Sequence, residues 1–261
     1  MVSVILSGCN GRMGQVITGL VSKEEDIRIT AGVDITGESL NGYPVFCSFA
    51  DLSEAGVKAD VIIDFSAPAA FDGMLAYSTA CRVPCVVCTT GLDEGQISAL
   101  KEASGQTALL RSANMSVGVN LLIDLLKEAA PVLRASGFDI EIVEKHHNQK
   151  KDAPSGTAIA LAEAINDSLN GAGEFVYDRS GRYEKRDPNE IGISAVRGGT
   201  IVGDHDVIFA GTDEVITFSH RAYSRAIFAN GAIAAARFLA GKQPGLYTMA
   251  DVIAAGRGAK D

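Results

Sequence analysis

The sequence lacks the features that would place this protein in a membrane, on nucleic acid or outside the cell. No apolar run approaches the ~20 residues that a membrane-spanning helix needs. The chain opens without the basic and then apolar segments of a signal peptide. Its 23 Lys and Arg are outnumbered by 32 Asp and Glu, so we expect no general nucleic-acid-binding face. Five cysteines, an odd number, favour reduced thiols in a cytoplasm over a disulfide framework.

What is present fits a globular protein of two lobes. The chain has 261 residues, 47% of them hydrophobic, and no internal repeat. With a net charge of -9, any anion must be bound by local cations. The cations of interest are Arg12, Lys150, Lys151 and Arg197.

The first 34 residues follow the order of a dinucleotide-binding unit. A β-branched strand at residues 2–6 leads into a glycine-rich segment at 8–14, a helix, and a second strand ending before Asp34. Glycines allow a backbone to approach a pyrophosphate, and an acidic residue about 20 positions on accepts bonds from ribose hydroxyls. The glycine spacing differs from the commoner G-x-G-x-x-G, so a ligand-free turn between strand and helix is the alternative.

The residue after Asp34 bears on which nicotinamide cofactor binds. A 2′-phosphate usually needs a basic side chain at this edge, and a carboxylate repels it. Ile35 stands there instead. We therefore expect NADH to be preferred, with NADPH possible through a more distant arginine.

Three further apolar stretches, at residues 61–66, 84–91 and 108–110, predict more strands of a parallel, doubly wound sheet. Ligands bind beyond the carboxyl ends of such strands. The residues expected at that edge are Phe65, Ser66, Thr89, Thr90, Gly91, Ala113, Asn114 and Met115.

Cys81, Cys85 and Cys88 have the spacing of an iron–sulfur motif. The last two lie in a predicted strand, where side chains three apart point to opposite faces. Three thiolates could hardly converge on one cluster, so we interpret these cysteines as small core residues.

The richest segment is 144–157, which lies between a predicted strand at 138–143 and a predicted helix at 158–169. It holds His146, His147, Lys150 and a Pro-Ser-Gly-Thr turn. A helix start offers free N–H groups to an anion, and histidine titrates near neutrality. The segment predicts an anion site with a proton donor. A metal site lacks a third ligand, a Ser155-based hydrolase triad lacks a nucleophile elbow, and a merely solvated loop is the other alternative.

The second half predicts an α+β lobe. Its boundary falls near residues 116–120, and a helix follows at 121–133. Strands with little helix between them favour an open, largely antiparallel sheet, and we interpret its exposed face as an oligomer surface. The predicted elements are a loop at 171–189, strands at 191–196, 200–202, 207–209 and 215–219, a hairpin turn at 197–200, and helices at 226–239 and 246–255. His205 and His220 are interpreted as structural.

These segments together resemble one family, the dihydrodipicolinate reductases, over essentially the whole length. The run from His146 to Thr157, with the pattern His-His-x-x-Lys-x-Asp-Ala-Pro-Ser-Gly-Thr, is highly specific. The other matching segments are residues 8–14, 64–66, 89–91, 114–120, 197–199 and 228–231.

The resemblance implies NAD(P)H-dependent reduction of 4-hydroxy-tetrahydrodipicolinate, a cyclic dicarboxylate, in the diaminopimelate route to lysine. It implies no metal and a homotetramer formed through the second-lobe sheets, with a hinge between the lobes. The expected domains are a dinucleotide-binding domain at 1–117, a substrate-binding and oligomerisation domain at 118–225, and C-terminal helices at 226–261 that return to the first domain.

The resemblance also implies residue roles. His146 would be the proton donor and Lys150 a second catalytic cation. The substrate carboxylates would be bound by His147, Ser155, Gly156 and Thr157. The cofactor would be bound by Gly8, Cys9, Asn10, Gly11, Arg12, Met13, Asp34, Phe65, Cys88, Thr89, Thr90, Ser112, Ala113, Asn114 and Met115.

Two positions depart from the family pattern: Cys88 stands where members commonly have glycine, and Ile35 where many have a basic residue. Two other interpretations of the chain remain open at this point. One is a different two-lobe dehydrogenase acting on an amino or oxo acid. The other is a non-catalytic NAD-sensing protein of the same fold.

Overall fold

A computed structural model describes residues 1–258 and divides the chain into two units. The first comprises Met1–Val117 together with the chain from Ala226 onward, and the second comprises Gly118–Arg225. No helix within the described residues is long and apolar enough to cross a bilayer.

The first unit is built on seven parallel strands in the order β12-β6-β5-β4-β1-β2-β3. Its elements are β1 (Val2–Ser7), α1 (Arg12–Val21), β2 (Ile27–Val33), β3 (Val45–Phe46), α2 (Phe49–Glu54), β4 (Val61–Asp64), α3 (Pro68–Cys81), β5 (Cys85–Val87), α4 (Glu94–Ala103), β6 (Ala108–Arg111), α7 (Ala226–Leu239), β12 (Gly245–Tyr247) and α8 (Met249–Gly258).

Alternation along β1 explains why both faces of this sheet are covered. Val4 and Leu6 pack in one core cluster with residues of α1, α7 and α8. Ile5 packs in another cluster with residues of α2, α3 and α4. A parallel strand buried on both faces is mostly apolar, as β1 is apart from Ser3 and Ser7 and β4 is apart from Asp64. The predicted doubly wound, Rossmann-type parallel sheet is confirmed.

The cysteines of the 81–88 segment separate as the strand geometry requires. Cys85 lies in the core cluster on one face of the sheet, whereas Cys88 packs against the cluster on the other. Cys81 is exposed at the end of α3. Among residues 1–258, no group of three or more His, Cys, Asp or Glu side chains is arranged to hold a metal ion.

The second unit carries a five-stranded sheet in the order β11-β10-β7-β9-β8. Its elements are α5 (Val117–Ala135), β7 (Asp139–His146), α6 (Gly156–Ser168), β8 (Glu174–Val176), β9 (Glu190–Arg197), β10 (Gly203–Ala210) and β11 (Val215–Ala222). One face of the sheet packs against α5 and α6 in a single apolar cluster. The expected second α+β lobe is present, but its sheet is mixed: β11-β10-β7 is antiparallel and β7-β9-β8 is parallel.

Several local predictions in this half were wrong. No hairpin forms at 197–200, because β9 and β10 lie on opposite sides of β7 and the connection passes over its end. Residues 200–202 are not a strand; β10 begins at Gly203, since the polar run Gly203–Asp206 pairs with β7 and β11 despite its low hydrophobicity.

Two short strands were hidden by local composition. The predicted loop at 171–189 contains β8, which pairs with β9. The predicted helix at 246–255 begins only at Met249, because Gly245–Tyr247 pairs with β6 as an edge strand. In both segments, pairing with a neighbouring strand outweighs the weak local preference.

Candidate active site

The carboxyl edge of the first sheet brings the predicted cofactor-binding residues together. Parallel strands end at the same edge, and β1, β2, β4, β5 and β6 are each followed by one or more of them. Gly8 to Gly11 follow β1, Arg12 and Met13 begin α1, Asp34 follows β2, Phe65 follows β4, Cys88 to Thr90 follow β5, and Ser112 to Met115 follow β6.

The turn after β1 needs glycine at two positions. Gly8 has a φ of +74°, and a Cβ there would lie 2.6 Å from the carbonyl oxygen of Phe65. A Cβ on Gly14 would clash with the carbonyl oxygens of Gly8 and Cys9. The N-cap of α1 is Gly11, which supplies no capping side chain. The first N–H groups of α1 therefore remain available to an anion, which fits a pyrophosphate.

Asp34 is held beside this turn by backbone and side-chain bonds. Its Oδ2 accepts the N–H of Asn10 at 3.1 Å, and its Oδ1 lies 3.4 Å from the hydroxyl of Thr36. The amide of Asn10 in turn donates to Thr36 and to the carbonyl of Glu38. A carboxylate has about four acceptor positions, so Asp34 can still accept from ribose hydroxyls. Ile35 is 90% exposed.

Sequence reasoning missed the buried carboxylate of Asp64. It is fully buried at the end of β4 and accepts the hydroxyls of Thr89 and Ser66, both at 2.6 Å. Asp64 thus ties together the ends of two neighbouring strands. The sequence did contain a signal for this role, because Asp64 is the only polar residue of β4 and is its last residue.

In the second unit, the centre of the candidate site is also a carboxylate, that of Glu144. Strand β7 alternates strictly between buried and partly exposed residues, so Ile140, Ile142, Glu144 and His146 share the buried face. Glu144 is fully buried. Its Oε2 lies 2.6 Å from Nδ1 of His146, and its Oε1 accepts the backbone N–H of Ser155 at 2.9 Å.

Arg197 completes this arrangement. Its two terminal nitrogens donate to both oxygens of Glu144, at 2.8 and 2.7 Å, and one also donates to the carbonyl of Asp152. Burial alone would raise the pKa of Glu144, but bonds from Arg197, His146 and the Ser155 N–H hold that pKa below its usual value. The sequence analysis considered Arg197 as a cation that could bind an anionic ligand. In the structure both of its terminal nitrogens donate instead to Glu144.

An ionised Glu144 determines which nitrogen of His146 carries the shared proton. A carboxylate can only accept, so Nδ1 of His146 must donate to it. Nε2 is then the nitrogen that exchanges protons. A Cβ on Gly203 would lie 3.0 Å from this Nε2, so glycine at the start of β10 makes room for the ring.

Ser155 links the carboxylate to the helix that follows. It is the N-cap of α6: its Oγ accepts the N–H of Ala158 at 3.2 Å. The same Oγ lies 3.0 Å from Nε2 of His205. Gly156 and Thr157 are the first residues of α6. The structure therefore brings His146 and Ser155 together through Glu144, and adds His205, which sequence reasoning had treated as structural.

The two other predicted side chains lie close by in sequence but outside this network. Lys150 forms an ion pair with Asp152 at 2.9 Å, and Asp152 is 59% exposed in its side chain. His147 is partly buried, and its carbonyl accepts the N–H of Lys150. An exposed ion pair contributes only about 0–1 kcal/mol, so little holds the Lys150 ammonium where it is.

Comparison with known proteins agrees over nearly the whole chain. Residues 2–115 match the model described as dihydrodipicolinate reductase, N-terminus, and residues 118–253 match that described as dihydrodipicolinate reductase, C-terminus.

The 4-hydroxy-tetrahydrodipicolinate reductase of Caldanaerobacter subterraneus subsp. tengcongensis is 52% identical, over 98% of this chain and 100% of its own length. That of Clostridium botulinum is 48% identical over 97% of this chain and 98% of its own.

Among solved structures, a dipicolinate-bound dihydrodipicolinate reductase from Paenisporosarcina sp. TG-14 has the same fold. The TM-score is 0.79 at 24% identity, and the match covers 95% of this chain and 97% of that one. The chain therefore belongs to the dihydrodipicolinate reductase family, the enzymes that reduce 4-hydroxy-tetrahydrodipicolinate with NAD(P)H in the diaminopimelate route to lysine.

Proposed function

We propose that the two clusters divide this reaction between them, with the glycine turn and Asp34 binding the cofactor and the Glu144 network binding and protonating the substrate. The observation that carries the proposal is the buried Glu144, which holds a histidine and a helix start in one geometry. The relative from Paenisporosarcina binds dipicolinate, a flat dicarboxylate of the same ring size as the substrate.

The cofactor-binding part rests on the glycine turn. Backbone N–H groups at the start of α1 bind the pyrophosphate, and Asp34 accepts from the adenosine ribose. The bound nicotinamide supplies a hydride. Phe65, Cys88 to Thr90 and Ser112 to Met115 line the same edge.

The substrate-binding part rests on α6. The substrate is a six-membered cyclic imine that loses water to give a conjugated C=C–C=N system. N–H groups at Gly156 and Thr157, with the Ser155 hydroxyl and His147, bind its carboxylates. Ser155 is fixed for this role by its own N–H bond to Glu144.

Protonation rests on His146 and Lys150. Hydride addition builds negative charge on the ring, and the ammonium of Lys150 stabilises that charge after leaving its exposed pair with Asp152. His146 then donates a proton from Nε2, while the ionised Glu144 at Nδ1 stabilises the cationic ring. Both oxygens of Glu144 are already occupied by bonds, so the ring is held in one orientation.

NADH is the preferred cofactor in this proposal. A 2′-phosphate would meet the carboxylate of Asp34 and find the exposed, apolar Ile35 beside it. We expect kcat/KM to favour NADH in an assay of cofactor oxidation with freshly generated substrate. Ile35→Arg should raise kcat/KM for NADPH by about tenfold, since one charge-assisted bond contributes about 1.5–3 kcal/mol. A wild-type preference for NADPH would contradict this part.

We also propose a cytoplasmic homotetramer. Support comes from apolar side chains on the face of the second-unit sheet that α5 and α6 leave uncovered, which include Val196 at 46% and Val215 at 63% exposure. Edge strand β11 exposes unpaired backbone groups beside them, a surface that proteins usually cover.

A further inference from the structure

A histidine outside the specific motif lies against the substrate-binding turn. His205, on β10, is paired in register with Glu144 on β7 and is only 4% exposed. Its ring meets that of His146 edge-on, with centroids 5.2 Å apart. Its Nε2 lies 3.0 Å from Oγ of Ser155. The proton on this imidazole therefore decides what the Ser155 hydroxyl can do.

The Ser155 hydroxyl can donate only one hydrogen bond, and its oxygen already contacts Ala158 and His205. Its Oγ accepts the N–H of Ala158 as the helix cap. If Nε2 of His205 carries no proton, the hydroxyl must donate to that nitrogen, and nothing remains for a carboxylate. If Nε2 carries a proton, Oγ accepts from it, and the hydroxyl hydrogen is free to bind an anion.

Burial decides between these two states. Nδ1 of His205 is buried and has no partner among the described residues. A proton on Nδ1 would leave a buried N–H unsatisfied, which is rarer in proteins than an under-used acceptor. A proton on both nitrogens would bury a cation. Burial, reinforced by His146, lowers the pKa of His205 to about 4.

Some of the charged and titratable groups that face His205 raise its pKa and others lower it. Glu144 on β7 favours the protonated ring, whereas His146 on β7, His220 on β11 and Lys150 in the loop oppose it. The net result is a neutral ring, and the orphaned Nδ1 places its one proton on Nε2.

We propose that His205 is a positioning residue that donates its Nε2–H to Ser155 and so directs the serine hydroxyl toward a substrate carboxylate. This rests on the proposed role of Ser155 in binding that carboxylate. His205 itself touches neither substrate nor cofactor in this scheme.

The tautomer can be read directly in the full-length protein. We would label the histidines with ¹⁵N and assign His205 by comparison with His205→Gln. Long-range ¹H–¹⁵N correlation spectra at pH 7 should show the proton on Nε2. A proton on Nδ1 with none on Nε2 would overturn the proposal whatever the substrate is.

The consequence for binding is tested with dipicolinate as the probe. We expect His205→Leu and Ser155→Ala each to raise its Kd by about tenfold, and the double variant to be no worse than either single one. The substrate KM should rise in step with Kd in His205→Leu, while kcat falls by less than threefold. His205→Gln retains an N–H donor and should keep Kd within about threefold of wild type.

Additive effects in the double variant, or an unchanged Kd in His205→Leu, would mean that His205 does not act through Ser155. Failure of wild-type protein to bind dipicolinate would instead count against the proposed function and leave the tautomer result standing. If His205→Leu does not fold, the spectra of wild type and His205→Gln still decide the proposal.

Discussion

At the scale of single residues, the account depends on Glu144, a carboxylate at the start of the segment 144–157 to which the sequence analysis assigned no role. Burying an isolated carboxylate costs several kcal/mol, and good geometry with further hydrogen bonds must offset it. Glu144 has four such bonds, from His146, Ser155 and both terminal nitrogens of Arg197. Because these bonds also fix His146 and the start of α6, we propose that the carboxylate acts on both protonation and binding.

Replacement of Glu144 by Gln should mainly slow catalysis. The amide keeps the shape but no longer stabilises a cationic His146, so we expect kcat to fall by about 10²-fold, the scale of general acid–base catalysis. Steady-state kinetics would measure this, with the exposed Glu163→Gln on α6 as the matched control. A kcat for Glu144→Gln within twofold of wild type would remove Glu144 from the mechanism.

His205 should leave a signature in the pH dependence of stability. Its pKa is about 4 in the folded protein against an ordinary value of 6.5, so between these values the unfolded chain binds a proton that the folded chain does not. The stability it contributes is therefore complete above pH 6.5 and falls as the pH drops toward 4, by up to about 3 kcal/mol.

Urea unfolding at a series of pH values would measure that contribution. Between pH 6.5 and 4.5, the free energy of unfolding should fall less steeply in His205→Gln than in wild type. Parallel curves would show that His205 titrates in the folded protein much as it does in the unfolded chain.

Part of this residue-level arrangement could have been found from the sequence. Glu144 and His146 are two apart on a strand, so they share a face. For the same reason His205 shares the buried face of β10 with Val207 and Phe209. The bond from His205 to Ser155 could not, because it depends on the register of β10 against β7, which is set by tertiary pairing.

At the scale of elements, strong local signals predicted the structure well. The helix expected at 226–239 is α7 with those bounds, and Gly241 follows it with a φ of +78°. Weak local sequence patterns did not predict elements that depend on a pairing partner. Strands β8 and β12 are three residues long and exist only because a neighbouring strand pairs with each. The connection from β9 to β10 over the end of β7 was likewise not predictable from the local sequence.

Two glycines of α1 give a matched test of the proposed phosphate-binding turn. In Gly14→Ala the new Cβ would clash with the carbonyl oxygens of Gly8 and Cys9, whereas Gly19→Ala meets nothing within 4 Å. We expect Gly14→Ala to weaken NADH binding at least tenfold. Gly19→Ala should bind normally and gain about 0.5–1 kcal/mol of stability.

NADH fluorescence titration measures the first effect and urea unfolding the second. Equal NADH affinity in the two variants would mean that the close packing of this turn does not matter to the cofactor.

At the scale of the whole molecule, the family could be identified from the motif of residues 146–157, and the comparisons confirm it. Assembly is a separate question: the resemblance implies a tetramer formed through the second-lobe sheets, but no sequence pattern marks which strand residues would face a partner.

Sedimentation equilibrium should give a tetramer, and Val215→Lys on β11 should shift it to smaller species, since a buried charge there would be unpaired. Sedimentation of the wild-type chain as a monomer at micromolar concentration would contradict the proposed assembly.

The central claim is that His146, oriented by Glu144, donates the proton that completes reduction. The most direct test is kcat for His146→Gln with NADH and freshly generated 4-hydroxy-tetrahydrodipicolinate at saturation. Glutamine is close to histidine in size, and its amide cannot release a proton at neutral pH, so proton donation is lost while most of the packing is kept. We predict a fall in kcat of at least 10²-fold, with the Kd of dipicolinate changed less than about threefold. An unchanged kcat would contradict the account.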